Sequence, residues 1–165
     1  MSSAVRNGRA RSVADLTTGE VLATVEVAAP PERVFKALAS EDIADWWTGE
    51  GLGQFRTTEW EGDVHVGGRW RASGEGETGD GVFKPFVLEG EFLEITPPRR
   101  LVQTYAPPGA PKPTTVTYVL EPIEGGTRLT LRHVGFDSFP RAFCIGQYLG
   151  WESILERLAS RLARP

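Results

Sequence analysis

Cysteine, histidine and methionine are nearly absent from this 165-residue chain, which has one Cys, two His and one Met. A single thiol excludes an internal disulfide and a cysteine-rich zinc site. Two histidines, His65 and His133, leave a metal centre short of nitrogen ligands, so neither a metal nor a cofactor is expected. Basic residues are the minority charge, 18 Lys and Arg against 22 Asp and Glu, for a net charge of −4. Such a balance fits neither nucleic acid nor an anionic membrane, both of which require clustered cations. No window approaches the ~18 consecutive apolar residues of a membrane span. Arg6, Arg9 and Arg11 are followed by no apolar segment of the kind a secretory signal needs. The cytoplasm is the expected location. Residues 1–18 read as a disordered or loosely attached arm, followed by one domain over residues 19–165.

Catalytic signatures are equally scarce. There is no G-x-S-x-G elbow, and the glycines of 74–81, GEGETGDG, stand among carboxylates that would repel a phosphate. That segment reads as a flexible hairpin loop, without the spacing of a calcium loop. Strand carboxylates such as Glu59, Glu89 and Glu91 are expected to face solvent rather than to form a catalytic pair.

What the chain does have is alternation and one long amphipathic helix. Val21, Ala23, Val25 and Val27 share one face of a strand. Pro31 opens a short helix over Glu32 to Leu38, with Val34, Phe35 and Leu38 on its apolar face. Ser40 starts a second short helix through Trp47, which Gly49 and Gly51 close. Strands then follow from Phe55 to Val134. They are punctuated by glycine pairs and by the stiff loop 106–113, APPGAPKP, with a bulge expected near Gly90 in the strand Phe83 to Ile95. Between Val116, Tyr118 and Leu120 and their partners Leu129, Leu131 and His133, the apolar faces match. The last stretch, Ser138 to Arg164, places Cys144, Tyr148, Trp151, Leu155, Leu158 and Leu162 at steps of four and three, one stripe of a long helix. Ser138 or Asp137 can cap it, and Pro140 fits its first turn. The expected fold is α+β, a curved antiparallel sheet wrapped around a long C-terminal helix, with two short helices after the first strand.

Several segments match a known family in order. They are VEVAAPPERVFKALAS at Val25 to Ser40, DWWTGEG at Asp45 to Gly51, GGRWRASGEG at Gly67 to Gly76, GEFLEITPPRRLVQTY at Gly90 to Tyr105, GGTRLTLRHVGF at Gly125 to Phe136 and GWESILERLASRL at Gly150 to Leu162. The chain resembles the START-like (SRPBCC) superfamily with the helix-grip fold, in the branch named after the activator of the Hsp90 ATPase. The resemblance implies an apolar or amphipathic small molecule held between sheet and C-terminal helix. It also implies two alternatives: contact with an Hsp90-type chaperone in a stress response, or a polyketide cyclase-like or hydrolase-like reaction in the same cavity.

The aromatic residues point to where such a ligand would sit. Trp47, Trp70, Tyr118, Phe143 and Trp151 fall on inward strand faces or beside the helices, and would line a cavity for a flat or apolar ligand. Trp46 and Trp47 are adjacent on a short helix, so one of them is expected at the rim. Gly146 and Gly150 lie four apart on one helix face and leave room there, with Gln147 between them as a polar contact. His133, on the inward face, is a structural histidine, with a ligand hydrogen-bond donor or a general base as the sharper alternative. His65, between turns, is expected to be exposed. Outward strand arginines are compatible with a homodimer.

Overall fold

The computed structural model describes residues 9–15, 17–49, 55–77, 81–106, 112–135 and 141–163, with 48–49 and 141–149 described in backbone only. Nine strands form one antiparallel sheet: β1 (Arg11–Asp15), β2 (Glu20–Val27), β3 (Thr48–Gly49), β4 (Phe55–Gly62), β5 (Arg69–Glu77), β6 (Phe83–Thr96), β7 (Arg100–Tyr105), β8 (Thr114–Ile123) and β9 (Gly126–Val134). The helices are α1 (Pro31–Leu38), α2 (Ile43–Trp46) and α3 (Arg141–Leu162). The strand order across the sheet is β1-β2-β9-β8-β7-β6-β5-β4-β3. Because α3 packs against β1 and β2 at one end of this order and against β3 at the other, the sheet curls around the helix. The middle strands stand further from α3, and large side chains project into the interval.

The inward faces follow from period-two alternation. Val21, Ala23, Val25 and Val27 of β2 are buried and register with His133, Leu131, Leu129 and Thr127 of β9. Those residues continue into Val116, Tyr118 and Leu120 of β8, and then into Gln103 and Leu101 of β7. Gly125, with φ of 84°, makes the tight β8–β9 turn that fixes this register. On α3, Trp151, Ile154, Leu155, Leu158 and Ala159 are buried, and Leu162 is partly buried. The helix is 22 residues long, about 33 Å at 1.5 Å per residue. The caps expected at Asp137, Ser138 and Pro140, and the loop at 107–111, lie outside the described residues. So do the side chains of Cys144 and Tyr148 and the surroundings of Gly146.

Five expectations are corrected. Residues 11–15 do not belong to a loose arm: Arg11–Asp15 pairs along β2, from Arg11 opposite Thr24 to Asp15 opposite Glu20. Residues 1–8 lie outside the described residues. The loop expected at 74–81 is strand as far as Glu77, since Gly74 to Glu77 pair with Phe86 to Phe83 while Gly74 and Gly76 also face β4. The irregularity expected at Gly90 falls between Phe92 and Glu94. Gly90 itself pairs regularly with Trp70, and glycine is needed because an added Cβ would lie 1.8 Å from the Thr104 carbonyl oxygen and 2.6 Å from Trp70 Nε1. Finally, Trp46 and Trp47 are both buried, at 3% and 5% exposure. The helix ends at Trp46, and Trp47 has φ −82° and ψ 74°, so the two rings leave the backbone in different directions. The Trp46 indole N–H donates to the Ala37 carbonyl at 2.8 Å, under α1. Instead of closing the helix, Gly49 belongs to β3; Gly51 lies outside the described residues.

Candidate functional site

Trp47 turns into the sheet and meets an aromatic cluster centred on Tyr105. Trp47 stands edge-on to Tyr105, Trp70 and Phe55, with ring centroids 5.7, 6.2 and 6.0 Å apart. Trp70 lies 4.6 Å from Tyr105 and anchors its indole N–H on the Thr104 carbonyl at 3.1 Å. From α3, Trp151 reaches Tyr105 at 6.2 Å, Tyr118 at 6.3 Å and His133 at 5.8 Å. Edge-on arrangements set ring hydrogens against ring faces and are the favoured contacts of such groups. Five of the eight expected site residues, Trp47, Trp70, Tyr118, His133 and Trp151, therefore belong to one cluster.

Gly150 lies one residue before Trp151 and one turn before buried Ile154, and a Cβ added to it meets no atom within 4 Å. Phe143 and Gln147 lie on α3, but their side chains fall outside the described residues. His65 is exposed and bonds Asp63 through Nδ1 at 2.8 Å, away from the cluster.

Polar groups run through the cluster in a definite order. The Trp151 indole N–H donates to His133 Nδ1 at 2.9 Å. Indole is a donor only, so Nδ1 must accept, and the neutral ring carries its proton on Nε2. His133 Nε2 lies 2.7 Å from Thr114 Oγ1, and the Thr114 hydroxyl donates to the Tyr105 carbonyl at 3.1 Å. The hydroxyls of Tyr105 and Tyr118 are 3.1 Å apart. Burial lowers the His133 pKa to about 3. Burial also pushes both tyrosine hydroxyls up, with the neighbouring Tyr105 adding to the effect on Tyr118, and with Tyr118 and Gln103 hydrogen bonds opposing it at Tyr105. A general acid or base works best with a pKa near the operating pH. None of these three groups meets that condition.

Sequence reasoning missed Tyr105, Thr114 and Gln103. Tyr105 ends a strand whose inward face is Leu101, Gln103, Tyr105, so alternation alone would have placed it. A separate open groove of about 570 Å³ lies at α2 and β4, lined by Glu41, Ala44, Glu59, Trp60, Glu61 and Arg71 among others. Its carboxylates make it a poor place for an apolar ligand. Among the described residues no group of three or more His, Cys, Asp and Glu could hold a metal, and no helix is long and apolar enough to cross a membrane.

A sheet closed around one C-terminal helix, with aromatic side chains between them, defines a START-like domain of the helix-grip class. More particularly, the chain belongs to the family described as Activator of Hsp90 ATPase homolog 1-like protein, whose model matches residues 28–163. Among solved structures, protein CV1439 from Chromobacterium violaceum is 26% identical, with a TM-score of 0.72 over 89% of this chain and 99% of that one. A protein from Rhodobacter sphaeroides is 24% identical, with a TM-score of 0.75 over 94% and 99%. DynU16, a protein of the dynemicin biosynthetic locus, is 21% identical, with a TM-score of 0.67 over 88% of this chain and 48% of that one. No curated protein matches the chain.

Proposed function

We propose that this domain binds an aromatic or apolar small molecule between the middle strands and α3, and that it acts as a carrier or sensor rather than a catalyst. The observation that carries the reading is the cluster of Trp47, Trp70, Tyr105, Tyr118 and Trp151 beside Gly150, where an added Cβ would meet no other element within 4 Å. Flat ring faces supply a large apolar contact, and a helix that passes this point without a side chain leaves room for a guest. The noncatalytic part rests on His133, held neutral with Nδ1 accepting from Trp151 and Nε2 beside Thr114. That a protein of similar fold stands in a biosynthetic locus is consistent with a small-molecule guest.

Native mass spectrometry of the freshly purified protein, followed by thermal-shift screening against aromatic metabolites, tests the proposal. A co-purifying mass or a concentration-dependent shift supports it, because a ligand that binds only the folded state raises apparent stability. A bare protein that no compound shifts counts against it.

The family description favours a second reading, contact with an Hsp90-type chaperone. It requires a saturable change in chaperone ATPase rate on adding the purified domain, and a flat titration removes it.

A further inference from the structure

We infer that Gln103 is the polar anchor of the pocket: the open end of its carboxamide takes the hydroxyl of an otherwise apolar, hydroxylated aromatic molecule. This rests on the small-molecule reading above and adds the chemistry of the guest. Gln103 is 2% exposed, and among the described residues no group bonds its Oε1. Its neighbours across the sheet are Phe92 on β6 and Val116 on β8, both fully buried and apolar. On the same inward face stands Tyr105, whose hydroxyl lies 3.1 Å from that of Tyr118.

A buried carbonyl oxygen without a partner is costly, and a leucine or methionine would fill the same place among Phe92 and Val116 without that cost. Four neighbouring polar pairs are matched: Trp151 to His133, His133 to Thr114, Thr114 to Tyr105, Trp70 to Thr104. Beside these pairs, Gln103 Oε1 is a buried acceptor without a partner among the described residues. A hydroxyl suits a carboxamide in either orientation, since it donates to Oε1 and accepts from Nε2. An aromatic ring carrying that hydroxyl also has ring faces for the surrounding tryptophans and tyrosines.

The test is calorimetric titration of the full chain and of Gln103→Met with 2-naphthol and 2-methylnaphthalene, which are similar in size and differ in a hydroxyl for a methyl. Gln103→Leu is the second variant should the methionine variant not fold, and circular dichroism checks both. The ratio of the two affinities should shift by about tenfold against 2-naphthol in the variant, the size of one neutral hydrogen bond, while 2-methylnaphthalene binds as before. If both compounds bind and the ratio is the same in both proteins, a buried water alone serves Oε1; the anchor is overturned and the pocket stands. Failure of both compounds to bind the unmodified chain overturns the pocket and the anchor together.

Discussion

The indole of Trp151 and the imidazole of His133 are joined across 2.9 Å, and this hydrogen bond ties the long helix to the sheet it lies against. It also settles which nitrogen of His133 carries the proton. The bond can exist only while Nδ1 is unprotonated, so the histidine's charge state and the docking of α3 are coupled.

That coupling makes stability pH-dependent in a definite direction. His133 has an ordinary pKa of 6.5 in the unfolded chain and one lowered to about 3 in the folded protein. Between those values the unfolded chain holds a proton that the folded protein does not. Stability is therefore fully present above about pH 6.5 and is lost as pH falls toward about 3, with a limiting slope of ~1.4 kcal/mol per pH unit. Urea melts between about pH 6.5 and pH 5 isolate the effect, because carboxylates titrate near pH 4. In His133→Gln the slope over this window should vanish; an equal slope in both proteins would assign it to other groups.

Trp151→Phe keeps an aromatic ring against Tyr105 and Tyr118 but leaves His133 Nδ1 without its donor. The lost ring volume and the orphaned nitrogen together should cost ~2–4 kcal/mol. Burial is what lowers the His133 pKa to about 3, so the water that the smaller ring admits beside the imidazole should raise it toward 6.5. Denaturant melts read the first effect and an NMR titration of the imidazole reads the second. A variant of unchanged stability and unchanged titration would mean that the bond contributes nothing.

Two glycines should respond with opposite sign to the same substitution. At Gly90 a Cβ would fall 1.8 Å from the Thr104 carbonyl oxygen, which is backbone and cannot yield without opening the sheet. Gly90→Ala should lose ~3 kcal/mol or more. Gly150 lies within α3 with no atom within 4 Å of an added Cβ, so Gly150→Ala should gain up to ~1 kcal/mol from helix propensity. Gly150→Phe should leave the fold intact and abolish uptake of any ligand found by screening. Unchanged uptake would place that ligand elsewhere.

The sequence made the strand faces and the helix stripe legible because both repeat. Val21 to Val27 alternate strictly, and Trp151, Leu155, Leu158 and Leu162 recur with the helical period. It concealed what depends on partners distant in the chain. Gly74 to Glu77 look like loop in isolation and become strand because β4 and β6 flank them. Trp46 and Trp47 look like competitors for one face until the helix is seen to end between them. Of the site, the tryptophans could be chosen by size. The central position of Tyr105 and the unmatched oxygen of Gln103 emerge only when β6, β7 and β8 are assembled side by side.

The strand at Arg11–Asp15 was the least legible element, and it bears directly on stability. RSVAD has no apolar alternation, and its exposure pattern is that of a sheet edge. Its attachments are made with residues far along the chain: β2 along its length, a Ser12 hydroxyl bond to Glu152 of α3, and Ala10, buried at 6% with its N–H 3.4 Å from Glu156 Oε1. Removing residues 1–15 would expose the outer edge of β2 and free one flank of α3, at a cost of ~2 kcal/mol or more in lost burial and hydrogen bonds. Hydrogen exchange separates the two effects. Amides of Glu20–Val27 that bond β1 should lose protection, while those that bond β9 keep theirs, and α3 should exchange faster around Glu152 and Glu156. A truncated chain with unchanged melting and unchanged exchange would show β1 to be attached without contributing to stability.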